Sequence, residues 1–213
     1  MSVAVKICGL STPESVDVAV EAGAQFVGFV FFPPSPRAVE PDTARELSKR
    51  IPASVRKVAV VVDPSNDSLD AIFEALEPTM IQLHGQETPE RVADVGDRFG
   101  CAVIKALPVA DLHDVARASQ FDDAADMLLF DAKAQPGDAL PGGNARQFDW
   151  SLLSGVSSKP PWFLSGGLNA ENLADAVATS NARFVDVSSG VESMRGVKDH
   201  QKISNFLAIA EGL

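Results

Sequence analysis

The sequence predicts an α/β fold, one closed barrel of eight parallel strands alternating with eight helices, with residues 1–213 forming a single domain. Three observations predict it. Short apolar runs recur at intervals of roughly 25 residues and alternate with amphipathic stretches, which is the rhythm of a parallel sheet. Eight such units favour a closed barrel over the alternative, an open doubly wound sheet. The last two strands each run into a turn of small residues, the pattern of an anion grip built from the loops after strands seven and eight.

The first strand is read at residues 3–8 and stops at Gly9. Thr12-Pro13-Glu14 then opens a helix, because Thr caps free N–H groups, Pro has the right φ for a first turn, and the acid faces the positive end of the dipole. Gly23 stands where the helix should end. Residues 26–31 are continuously apolar, as in a strand buried on both faces, and the proline-rich stretch up to Arg37 cannot be helical. A helix at 42–50, a strand at 57–62 and a helix at 65–76 follow. Strand four, at 79–83, ends in His84-Gly85, and Thr88-Pro89-Glu90 repeats the helix-start chemistry of residues 12–14. Strand five is read at 101–106, a helix at 111–119 and strand six at 127–131. The longest irregular stretch, 132–147, precedes a short helix at 149–153. Strand seven is short and apolar at Phe163-Leu164, and Gly166-Gly167 passes to a helix capped by Asn169. Strand eight, 184–188, leads to Ser189-Gly190 with room for a short helix beyond, and a last helix at 200–210 closes the chain.

Composition sets bounds on function. Of 213 residues, 46% are hydrophobic, enough for one soluble domain with a sizeable core. A net charge of −11 argues against nucleic acid or an anionic membrane as partner, and means that an anionic ligand must be held by local groups. No apolar run approaches the roughly 18 residues of a membrane span, and the first residues read as a strand rather than a signal peptide. Two cysteines, Cys8 and Cys101, make neither a disulfide framework nor a zinc pattern, and the three histidines are scattered. A reduced, cytoplasmic, monomeric protein without a metal site is expected.

In such a barrel the chemistry sits at the C-terminal ends of the strands. Cys8, Arg37, Asp63, Gln82, His84, Lys105 and Asp131 follow or end strands there, beside the turns at Gly166-Gly167 and Ser189-Gly190. Bare peptide N–H groups at a glycine turn feeding a helix make an anion site. Thiol, carboxyl, guanidinium and anion grip together suit acid–base chemistry rather than metal or hydride chemistry. Lys6 has the strand parity of Cys8, and Asp186 that of Ser188; strand eight adjoins strand one when the barrel closes, so a Lys6–Asp186 ion pair beneath Cys8 is expected. Each residue also has a plainer role open to it. Cys8 alone suits a small buried hydrophobe, Asp131 a loop cap, Arg37 a solvated cation and His84 a hydrogen-bonded structural residue. Cys101, at the opposite end of its strand, is read as core packing, and Arg195 as a surface residue near the phosphate turn.

Six segments in order carry a resemblance: Val5-Lys6-Ile7-Cys8-Gly9, the stretch from Phe29-Val30-Phe31 to Ser35-Pro36-Arg37, Gln82-Leu83-His84-Gly85, Leu129-Phe130-Asp131, Leu164-Ser165-Gly166-Gly167-Leu168, and Asp186-Val187-Ser188-Ser189-Gly190-Val191-Glu192. Together they resemble the phosphoribosylanthranilate isomerases, TIM barrels of tryptophan biosynthesis, from Lys6 to the Gly196-Val197-Lys198-Asp199 segment. The resemblance implies a cofactor-free Amadori rearrangement of a small phosphosugar substrate. It implies Asp131 as general acid, Cys8 as general base, Arg37 on the anthranilate carboxylate, and Gly166, Gly167, Ser189 and Gly190 on the phosphate, with Lys6 and Asp186 in support. An aspartic acid acting as an acid near neutral pH must hold its proton there, which burial or a negative substrate favours; a cysteine base must be thiolate. The chain departs from the family's usual Gly-Gly-Thr-Gly at Gly142-Gly143-Asn144-Ala145, where Ala restricts φ, and carries Arg195 where Pro is common. Two neighbouring phosphate-binding barrels fit less well. Indole-glycerol-phosphate synthase wants catalytic lysines on several strands, and the histidine-pathway sugar isomerase an internal duplication. A non-catalytic phosphoester-binding barrel would keep the glycine turns without proton transfer at Cys8 and Asp131.

Overall fold

The computed structural model describes residues 3–135, 137–138, 140 and 142–213. Eight parallel strands close in sequential order: β1 (Ala4–Cys8), β2 (Phe26–Val30), β3 (Arg56–Val61), β4 (Met80–Leu83), β5 (Ala102–Val109), β6 (Met127–Ala132), β7 (Trp162–Leu164) and β8 (Phe184–Val187), with β8 pairing back to β1. Around them run α1 (Pro13–Glu21), α2 (Pro41–Ser48), α3 (Asn66–Leu76), α4 (Pro89–Phe99), α5 (Leu112–Ala116), α6 (Leu173–Ser180) and α7 (His200–Glu211). The expected barrel is therefore present. Both Thr-Pro-Glu segments open helices as read: Thr12 accepts from the Ser15 N–H at 3.2 Å and Thr88 from the Arg91 N–H at 3.3 Å.

Four local differences have physical causes. The segment before β7 holds only a 3-10 turn at Trp150–Leu153, so seven α-helices are found among the described residues, not eight. Asn169 is not the cap of α6. Its side chain accepts from the N–H groups of Glu171 and Asn172 at 2.8 and 3.1 Å, closing a turn of its own, and the helix starts at Leu173. β5 runs on to Val109, because Pro108 removes only its own N–H from the ladder. After β8 a 3-10 turn at Ser189–Val191 leads into a small antiparallel hairpin, β9 (Glu192–Met194) and β10 (Val197–Lys198), turned at Gly196 with φ 86°.

Alternation along the strands separates two buried layers. Val58, Val60, Met80, Ile104, Ala106, Met127 and Leu129 point inward and fill the barrel, while a larger apolar layer lies between strands and helices. Three phenylalanines plug the N-terminal end: Phe26 meets Phe163 edge-on at 5.1 Å between ring centres, and Phe163 meets Phe184 at 5.4 Å. That plug is at the opposite end from the residues singled out for chemistry. Phe163 is fully buried, so Phe163→Ala should cost about 3–5 kcal/mol in urea unfolding, with the activity of the folded fraction retained. A loss under about 1 kcal/mol would mean that the floor does not support the barrel.

Candidate active site

At the C-terminal rim one cleft is lined by Cys8, Arg37, His84, Asp131, Gly166 and Ser189, among others. Cys8 ends β1 on the inward side and is buried. The ion pair expected below it is present: Lys6 Nζ donates to Asp186 Oδ1 at 2.8 Å, and Ser165 Oγ donates to Asp186 Oδ2 at 3.2 Å. Gly28 makes room for this arrangement, since a Cβ there would lie 3.1 Å from Cys8 Sγ and 3.2 Å from Lys6 Cε. Burial opposes the charge on Lys6, but Asp186 and Cys8 outweigh it and raise its pKa above the ordinary lysine value. For Cys8, burial pushes the thiol up, and Lys6 pulls it back only in part.

Asp131 ends β6 on the same inward parity as Leu129 and is buried. Its Oδ1 accepts from the Ala132 N–H at 2.9 Å, and its Oδ2 lies 3.4 Å from His84 Nε2. The other ring nitrogen of His84, Nδ1, faces the Gln82 amide nitrogen at 2.9 Å. An amide N–H donating to Nδ1 leaves the ring proton on Nε2, the nitrogen on the Asp131 side. His84 thus stands beside the candidate acid, whereas the sequence favoured a purely structural role. The one signal for it was its place directly after strand four. Gln82 Oε1 is buried without a hydrogen-bond partner among the described residues, which leaves a buried acceptor at the cleft wall.

Arg37 is only 4% exposed and does not stand free for a bidentate ligand. Its Nε and Nη2 donate to the two oxygens of Glu192 at 2.6 and 3.0 Å, and Nη2 also reaches the Gly143 carbonyl at 3.3 Å. Burial works against the Glu192 carboxylate, but hydrogen bonds from Arg37 and the charge of Lys198 outweigh it and draw its pKa to about 2. A carboxyl depressed on folding contributes stability above the unfolded value near 4.5, and this is lost as pH falls toward about 2.

The two glycine turns lie side by side. Gly166 and Gly167 have φ of 89° and 66°, a region where a side chain is strained. The N–H groups of Gly166, Gly167, Ser189 and Gly190 donate to no backbone carbonyl among the described residues. Gly190 acts differently from its neighbour: a Cβ on it would meet the Leu168 carbonyl oxygen at 1.8 Å, so its smallness seats one turn against the other. Residues 142–146, after β6, line the cleft. A Cβ on Gly142 would lie 2.4 Å from Asp131 Oδ2 and 2.7 Å from His84 Nε2. Ala145 takes φ 55°, so the family's usual glycine there matches a backbone that this chain adopts with alanine.

Four residues considered from the sequence lie off the cleft. Lys105 points outward on β5 and ties Glu87 at 2.7 Å and the Gly85 carbonyl at 2.8 Å, holding the loop that carries His84. Asp63 caps the same loop through the Gln86 N–H at 2.7 Å. Cys101 packs half-buried against the outer layer, its thiol pushed up to about 11 by burial. Arg195 is exposed on the β9–β10 turn. Among the described residues no three His, Cys, Asp or Glu side chains group to hold a metal ion, and no helix is long and apolar enough to cross a membrane.

Comparison with known proteins bears on this geometry. Residues 5–208 match the family described as N-(5'phosphoribosyl)anthranilate (PRA) isomerase. A protein of that name from Parvibaculum lavamentivorans is 51% identical over 213 residues, covering 99% of each chain. A crystal structure of phosphoribosyl anthranilate isomerase, in complex with reduced 1-(o-carboxyphenylamino)-1-deoxyribulose 5-phosphate, is 36% identical, with a TM-score of 0.86 over 99% of this chain and 100% of that one. A second structure, of monomers generated from the dimeric enzyme of Thermotoga maritima, is 36% identical, with a TM-score of 0.85 and the same coverage.

The contact of Gly142 with Asp131 generates a test. Gly142→Ala should lower kcat/KM about tenfold or more, because its methyl group must displace the carboxyl or the loop, while the thermal midpoint stays near that of the parent. An unchanged kcat/KM would mean that this segment lies elsewhere during turnover.

Proposed function

This chain belongs to the N-(5'-phosphoribosyl)anthranilate isomerase family, and on that premise we propose how its residues divide the reaction. The chain converts N-(5'-phosphoribosyl)anthranilate to 1-(2-carboxyphenylamino)-1-deoxyribulose 5-phosphate, a step of tryptophan biosynthesis. Asp131 protonates the furanose ring oxygen, and the ring opens to a Schiff base. Cys8, as thiolate, takes the proton from C2′, and the resulting enolamine relaxes to the ketone. Arg37 binds the anthranilate carboxylate, and the N–H groups of Gly166, Gly167, Ser189 and Gly190 bind the phosphate. Lys6, held by Asp186, supplies the charge that favours the thiolate. His84 orients Asp131 through Nε2–H.

The observation that carries this division is the meeting, in one cleft, of a buried thiol, a buried carboxyl and turn N–H groups that donate to no backbone carbonyl among the described residues. We place the enzyme in the cytoplasm as a monomer. Both cysteines are free, and the large exposed hydrophobics among the described residues are Leu112, Met194, Val197 and Leu213, too few for a broad apolar face. Sedimentation at the mass of one chain is expected, in contrast to the dimeric Thermotoga maritima relative.

Followed by fluorescence on substrate generated in place, Cys8→Ala and Asp131→Asn should each lose about 10²–10⁴-fold in kcat while still binding the reduced product analogue. A folded variant of either kind that turns over at the parent rate removes that residue from the proton transfers. The pH profile carries a sign. Burial lifts the Cys8 thiol, so the thiolate fraction of the free enzyme keeps growing past the ordinary thiol value of 9.0; in the Asp131→Asn background, where no carboxyl proton is lost as pH rises, residual kcat/KM should climb with it. Lys6→Met removes the chief charge pulling the thiol back, and the climb should move to higher pH; a profile left in place would deny Lys6 this role.

A further inference from the structure

A buried guanidinium needs a counter-charge, and for Arg37 it comes from within the protein. Glu192, at the start of β9, grips Nε and Nη2 in fork-to-fork fashion, at 2.6 and 3.0 Å. Nη1 donates to nothing among the described residues and lies 2.7 Å from where a Cβ on Gly143 would stand. Glu192 is itself fixed from two further directions. Lys198 Nζ, from β10, donates to its Oε1 at 2.8 Å, and the Gly196 N–H to its Oε2 at 3.0 Å. The same Lys198 Nζ donates to the Ser188 carbonyl at 2.9 Å, and Ser188 Oγ donates to the Cys8 carbonyl at 3.1 Å. The hairpin thus links the arginine to the end of β1. Arg37, Glu192 and Lys198 together carry one net positive charge, which a ligand carboxylate would neutralise.

We propose that Glu192 is a positioning residue for substrate recognition: braced by Lys198 and the β9–β10 turn, it holds the guanidinium of Arg37 so that Nη1 is presented to the anthranilate carboxylate. This rests on the assignment of Arg37 to that carboxylate. Without Glu192 the guanidinium keeps its charge but loses the fork that fixes its plane, and Lys198 loses its counter-ion. Binding of the carboxylate should suffer, and proton transfer at Cys8 and Asp131 should not.

The test compares two ligands, the reduced product analogue and its counterpart lacking the carboxyl group, on purified full-length protein. Glu192→Gln should weaken the carboxylated ligand roughly 10- to 100-fold and leave the other unchanged, with KM raised and kcat within about threefold of the parent. Glu192→Asp keeps the charge but draws back by one methylene, and should give a smaller loss of the same selectivity. It carries the test should the Gln variant fail to fold. Arg37→Ala separates the two levels. If it weakens both ligands equally, the assignment of Arg37 itself falls. If it is selective for the carboxylated ligand while the Glu192 variants weaken both equally, or neither, Glu192 is only a structural support and the proposal is overturned.

Discussion

The structure depends on a charge pair at the seam where the barrel closes. Lys6 and Asp186 are register partners on the first and last strands, and their side chains meet in an interior that excludes solvent, Lys6 being wholly buried. Such a pair is weak evidence for net stability, because two charges lose their water. Removing one partner alone, however, leaves an unpaired buried charge and typically costs about 3–5 kcal/mol. The pair sits in register across the seam where the first and last strands meet. Register at this seam sets what stands above it. Cys8 and Ser188 come side by side, joined by a hydrogen bond of 3.1 Å, and Ser165 reaches in from β7 at 3.2 Å. The same lysine that closes the barrel is the cation nearest the thiol.

That seam was legible in the sequence because it needs only two rules: parity along a strand, and adjacency of first and last strands in a closed barrel. The strands themselves were legible because a parallel strand covered on both faces is an unbroken apolar run, as at Phe26–Val30. What escaped notice follows from other physics. The hairpin of β9 and β10 has strands of three and two residues, too short for any periodicity, and its role comes from Glu192 and Lys198 contacting residues far off in the chain. Arg37 was read as open to a ligand because a sequence cannot show that its fork is already occupied, 155 residues away. The outward turn of Lys105 follows from the same parity rule that served Lys6, applied to β5, where Ile104 and Ala106 point inward. The delayed start of α6 hides in competition between two asparagines, each a good cap, of which the second borders the helix.

Glycine serves two separate ends in this molecule. At Gly166 and Gly167 it permits positive φ, and their N–H groups donate to no backbone carbonyl among the described residues. At Gly28 and Gly142 it gives room: the first leaves space for Lys6 and Cys8, the second lets a loop lie on Asp131 and His84. Sequence motifs flag the first use, because it clusters in turns. The second is invisible in a motif, since the missing side chain matters only for what stands opposite it.

On the proposed assignments, two anionic groups of one substrate are handled by different means, and the chemistry between them gives a reason. The carboxylate end meets a full charge, Arg37, whose excess is trimmed by Glu192 and restored by Lys198. The phosphate end, so assigned, would meet peptide dipoles, and Arg195, the cation nearest in sequence to the second turn, is exposed on the hairpin. A lysine or arginine at the turn after β7 would stand beside the end of β6, since a Cβ on Gly166 would already lie 2.9 Å from the Ala132 amide nitrogen. A cation there would favour the ionised carboxyl and so work against a group that must give up a proton. Dipoles of the backbone bind a dianion at short range and fall off steeply, leaving Asp131 less affected. In a protein whose overall charge is −11, with no global field to draw the substrate in, the proposed division would hold both ends by local groups alone.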